Sequence, residues 1–140
     1  MTITRYLLAP LLFAGALSCD NDCARRLVTE VRYTGTRTGM SYTREIHPKG
    51  QATAGGSSPA TGPATIGTST GCWQSTGSSD EPGWQLEGWI DLDGDDAVPC
   101  RENLFNLDRC RPDPGEPQGR KAFTISAEGT TKVVLEFGDP

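Results

Sequence analysis

One twelve-residue loop concentrates the chain's metal-binding chemistry. Asp91-Leu92-Asp93-Gly94-Asp95-Asp96-Ala97-Val98-Pro99-Cys100-Arg101-Glu102 places carboxylates at positions 1, 3, 5 and 12, with the Ala97 carbonyl at position 7. Ca2+ takes about six to eight hard oxygens, and this spacing delivers them around one tight turn. Asp91, Asp93, Asp95, Ala97 and Glu102 are therefore the candidate ligands. Asp96 stands where a glycine usually makes the turn, and Pro99 occupies position 9. The flanks read as strand, so the loop would sit on a sheet and not between two helices. The same residues also suit a solvated acidic turn.

Other chemistry is sparse. The single histidine, His47, falls on an expected strand beside a low-complexity stretch and reads as a surface residue. There is no His-Glu-x-x-His and no phosphate loop. Seven acids and no base lie between Asp80 and Asp96, so carboxylate pairs for glycoside hydrolysis could be drawn there, as from any acidic surface. No Cys-x-x-Cys pair offers a zinc site. A hydrolase is thus a remote alternative, and the reading is non-catalytic. Eighteen acids against thirteen bases argue against a nucleic-acid partner, which needs a basic surface. Trp84 and Trp89 differ in parity along one strand, which predicts one in the core and one exposed for a glycan or protein partner.

The five cysteines divide unequally. Arg5 precedes an uncharged apolar run from Leu7 to Leu17, eleven residues long. That is short of the roughly 20 needed to span a bilayer and fits a signal-peptide core. The run ends Ala16-Leu17-Ser18-Cys19, which resembles the lipobox of bacterial lipoproteins. The resemblance implies cleavage before Cys19, acylation of Cys19, and a membrane partner through the lipid. Asp20 resembles the inner-membrane retention signal of enterobacterial lipoproteins; inner and outer membrane both stay open. Cys23, Cys72, Cys100 and Cys110 then remain for two disulfides in an oxidising compartment. Short loop closure favours the sequential pairing Cys23–Cys72 and Cys100–Cys110. Without residues 1–18 the chain keeps twelve bases against eighteen acids, a charge of −6.

The elements that must position these residues read as strands. After a polar tether at residues 19–26, Leu27, Thr29, Val31 and Tyr33 share one face of a period-two segment, and Met40 to His47 alternates again. The two predict a hairpin across Gly35–Gly39. Of the 24 residues from Pro48 to Gly71, 21 are Pro, Gly, Ala, Ser or Thr. Such a stretch buries little apolar surface, which predicts a flexible loop with one weak strand near Thr65–Thr70. Gly83–Leu92 reads as a strand, residues 93–119 as loop with a helical turn at Arg101–Leu107, and Phe123–Phe137 as a final hairpin.

Strands joined by turn-rich connections predict one all-β domain over residues 27–140, a small immunoglobulin-like β-sandwich stapled by disulfides. The expected core is Leu27, Val31, Tyr33, Tyr42, Ile46, Trp84, Leu86, Ile90, Phe123, Ile125, Val133, Leu135 and Phe137. Gly83–Asp96, Asp113-Pro114-Gly115 and Phe123–Pro140 resemble the prealbumin-like sandwiches of bacterial envelope proteins. That resemblance covers about 55 residues and implies a scaffold, adhesion or carbohydrate-contact module with an envelope protein or glycan partner.

Overall fold

The structure is a computed structural model that describes residues 23–73 and 82–140. The leader and Cys19 lie outside the described residues. Seven strands and one short helix follow in the order β1 (Arg25–Tyr33), β2 (Thr38–Ile46), β3 (Ala52–Thr61), β4 (Ala64–Trp73), β5 (Trp84–Asp91), α1 (Ala97–Glu102), β6 (Gln118–Phe123) and β7 (Gly129–Phe137). They form two sheets, β4-β1-β7 and β3-β2-β5-β6, an all-β sandwich. Both expected disulfides are present, Cys23–Cys72 and Cys100–Cys110.

The alternation of β1 works as the sequence predicts. Every second residue from Arg25 to Tyr33 is buried. Leu27, Val31 and Tyr33 meet Leu86, Ile90, Ile125, Val133, Leu135 and Phe137 between the sheets. The sheets approach closely where β5 passes β1. A side chain at Gly88 would sit 2.7 Å from Val31 Cγ1, so the position demands glycine.

Strand pairing departs from the expected hairpins. β1 pairs with β4 and, in parallel, with β7, whereas β2 pairs with β3 and β5. The turn at 34–37 therefore carries the chain from one sheet to the other. Residues 124–128 do the same, since β6 pairs with β5 and β7 with β1. Alternation marks which face of a strand is buried; it does not name the strand's neighbour.

The 48–71 segment is not a loop. It forms most of β3 and β4, which add to β2 and β1 by antiparallel ladders along their length. Backbone hydrogen bonds supply most of the order, because a ladder needs no apolar residue, and side-chain burial adds Ala60 and Ile66 to the central core. Close approach explains the composition in part: a side chain at Gly67 would meet Thr43 Oγ1 at 2.6 Å. The helical turn also shifts, to Ala97–Glu102 from the expected Arg101–Leu107.

Two core assignments change face. Tyr42 pairs with Trp89, and both point to the outer side of the four-stranded sheet, away from β1. Tyr42 leaves the central core for a second cluster with Trp89, Cys100 and Cys110; Ile46 shares its parity and is buried outside the central cluster too. Trp84 and Trp89 are 4% and 0% exposed, so neither is the exposed aromatic the parity argument predicted. The disulfide-closed segment after β5 covers Trp89 and makes both faces of that strand interior.

Candidate functional site

The acidic site is built at the end of β5. Asp91 closes the strand, and its two carboxylate oxygens accept the N–H groups of Gly94 (2.9 Å) and Asp96 (3.2 Å). Gly94, at φ 79°, makes the reversal these bonds require. Asp93 Oδ1 accepts the Asp95 N–H at 3.1 Å. The chain thus folds back on itself within five residues and gathers its own carboxylates.

Asp91, Asp93 and Asp95 come together as the spacing predicts, but the fourth carboxylate is Glu116. One oxygen from each of these four residues lies within 4.8 Å of all the others. Oxygens on opposite sides of a Ca2+ ion stand about 4.6–5.2 Å apart, twice the metal–oxygen distance. The four atoms therefore fit one coordination sphere. Glu116 is 7% exposed; its Oε1 accepts the Leu92 N–H and its Oε2 the Asp113 N–H, each at 3.0 Å. A bond from Ile90 N–H to Pro117 O (2.9 Å) lays this segment along β5 and delivers Glu116 to the loop.

Glu102 is not brought to that cluster. Glu102 ends α1, exposed, 3.7 Å from Arg109 Nη1. Ala97 opens α1, where a carbonyl points along the helix. The twelve-residue spacing fails at position 12, because α1 already begins at position 7 and carries Glu102 to its exposed end. Glu116 stands 25 residues from Asp91 in sequence, and no local spacing reveals it. The one available signal is the Asp113-Pro114-Gly115 turn directly before it.

The electrostatics of the cluster are uneven. The Asp113 side chain hydrogen-bonds Asp95, and this contact, with desolvation and Asp93, pushes the Asp95 carboxyl up to about 7. Asp93 is held low, chiefly by the Asp95 backbone N–H. Burial raises Glu116 and Asp96, although the Trp89 indole N–H donates to Asp96 Oδ2 at 2.9 Å and works against the shift. The Asp113 hydrogen bond and desolvation first, and repulsion from Asp113 and Asp93 last, favour the protonated form of Asp95. A divalent cation relieves the same repulsion.

A second polar constellation lies beneath the same covering segment. Arg44 and Glu87 form a buried ion pair, Nε to Oε2 at 2.7 Å, with side chains 1% and 3% exposed. Arg44 Nη1 donates to Leu104 O (2.9 Å) and Cys110 O (2.6 Å), and its guanidinium carbon lies 4.8 Å from the centre of the Trp89 ring. Sequence reading offered no reason to single out Arg44, which sits mid-strand in an alternating run. His47 follows β2; its Nδ1 accepts the Lys49 N–H, and its ring meets Trp84 edge-on at 4.8 Å.

Among the described residues, no helix is long and apolar enough to cross a membrane. No family model, curated protein or solved structure matches the chain.

Proposed function

We propose that the chain is an exported, lipid-anchored protein of the bacterial envelope whose β-sandwich is a non-catalytic binding or structural module. The observation that carries this reading is the division of the cysteines. Four are paired as disulfides, which form in exported compartments. That leaves Cys19, behind an apolar leader, free for acylation. Cys23 follows four residues later, so the tether between lipid and first disulfide spans at most about 14 Å. The sandwich would then sit against the headgroups. The Cys19→Ala variant is expected to move from the membrane pellet to the soluble fraction and to lose palmitate labelling. A variant that stays in the pellet overturns the anchor.

A second reading is favoured by the four convergent carboxylates: a Ca2+-stabilised adhesion or carbohydrate-contact module. Ca2+ at about ten times its Kd contributes about 1.4 kcal/mol of stability, a rise in Tm of about 5 °C for a domain of this size. The pH dependence has a definite sign. The Asp95 carboxyl is raised in the folded state, so its protonation favours folding at low pH. That contribution is lost as pH rises from about 4 to about 7. Ca2+ competes with the same proton, so its stabilisation should be larger at pH 8 than at pH 5. Glu116→Gln should abolish the shift, and Glu102→Gln should leave it. An unchanged Tm at millimolar Ca2+ and pH 8 refutes the metal reading.

A further inference from the structure

The outer side of the four-stranded sheet carries a pocket of about 640 Å³, toward the opposite end of β5 from the acidic loop. Glu87 in the pocket and Asp91 in the loop are four residues apart, about 13 Å along a strand. Ligand clefts commonly hold about 300–1,000 Å³, so the volume suits a small molecule. Its lining includes Arg44, His47, Gln85, Glu87, Arg111 and Arg120. Three guanidiniums face one carboxylate, a local charge of +2 in a chain whose net charge is −5.

Arg44 and Arg120 are held before any ligand arrives. Glu87 accepts Arg44 on Oε2 at 2.7 Å and Arg120 on Oε1 at 2.6 Å, so one buried carboxylate orients two guanidiniums. Arg44 is further fixed to the covering segment through Leu104 O and Cys110 O. The Arg120 side chain remains 55% exposed. Arg111 is exposed and joins no ion pair among the described residues. A structural ion pair for Glu87 needs Arg44 alone. The surplus positive charge faces the cavity, and guanidinium forks match carboxylate and phosphate oxygens in pairs.

We propose that this pocket binds a small anionic ligand, its carboxylate or phosphate group held by Arg111 and Arg120. Gln85 and His47 stand on the wall to meet neutral hydroxyls of the same ligand. Arg120, already oriented by Glu87, loses little freedom on binding, which favours affinity. The proposal uses neither a metal at the acidic cluster nor the lipid anchor, so it survives or fails independently of both readings.

The test is calorimetric titration of the full chain, purified from whichever fraction of its host holds it, membrane or soluble, in non-ionic detergent at low salt with EDTA present. The probes are trigalacturonate, inorganic phosphate and the neutral sugar maltotriose. At least one anion should show a single saturable site that weakens as salt is raised. Arg111→Ala and Arg120→Ala should each weaken it about tenfold, the worth of one charge-assisted hydrogen bond. Tighter trigalacturonate would assign a carboxylated glycan, and tighter phosphate a phosphoryl group. Thermal melts of both variants would show that the fold persists; Arg111→Ala, at an exposed position, keeps the test valid if Arg120→Ala does not fold. Neither anion saturating at millimolar concentration, equal binding of maltotriose, or affinity unchanged in Arg111→Ala overturns the proposal.

Discussion

Glu87→Ala is expected to destabilise the domain by about 3–5 kcal/mol, because it leaves Arg44 buried without its counter-charge. Both Glu87 oxygens are engaged, and the two paired side chains are 1% and 3% exposed. Folded domains hold only about 5–15 kcal/mol in total, so the loss is a large fraction. In urea, with a slope of about 1–3 kcal/mol per molar, the midpoint should fall by roughly 2 M. Arg120→Ala removes the exposed partner and should cost about 1 kcal/mol. The informative control is the double variant Arg44→Met/Glu87→Leu. It removes both charges, and apolar replacement of a buried pair is often neutral or stabilising. Arg44 also ties Leu104 and Cys110 to the sheet. The double variant should therefore recover global stability while amide exchange quickens across residues 104–112. A Glu87→Ala protein within about 1 kcal/mol of the parent would mean that water or Arg120 rearranges to solvate Arg44.

How much of this was legible in the sequence depends on whether the cause is local. The face of β1 was readable from Leu27, Val31 and Tyr33, because burial of alternate residues is imposed by strand geometry. The sandwich class followed from the same alternation, and the two disulfide pairs from the cost of loop closure, which favours sequential pairing. The turn made by Asp91, Asp93 and Gly94 was readable because its hydrogen bonds span no more than five residues. Three causes were not local. β3 and β4 are ordered by ladders to strands elsewhere in the chain, which leave no apolar signature. Tyr42 and Trp89 were assigned to the central core and to an exposed surface, because nothing in their strands announces the segment that covers them. Glu116 reaches the acidic site only through the pairing of Ile90 with Pro117. In each case alternation reports burial, and the identity of the covering element is set by topology.

The Cys23→Ser/Cys72→Ser double variant should lose about 4 kcal/mol, and the Cys100→Ser/Cys110→Ser variant about 2.8 kcal/mol, if loop closure in the unfolded chain governs. The two bonds span sequence separations of 49 and 10 residues, and the entropy removed grows with the logarithm of the loop. A competing effect acts in the other order. Cys23–Cys72 joins the segment just before β1 to Cys72, which pairs with Arg26 in the β1–β4 ladder and is exposed. Cys100 and Cys110 are 5% and 0% exposed and pack on Tyr42 and Trp89, whose rings stack at 5.2 Å. Losing that bond also loosens the cover over a fully buried Trp89 and the anchor of Arg44. Urea denaturation of both variants separates the effects, with Trp fluorescence following the cover. A larger loss in the 23–72 variant, with native fluorescence retained before unfolding, shows that chain entropy dominates. A larger loss in the 100–110 variant, with Trp89 exposed ahead of the main transition, shows that the covering segment is itself part of the core. The second outcome would also loosen the wall that carries Arg111, so anion affinity should fall in the same variant.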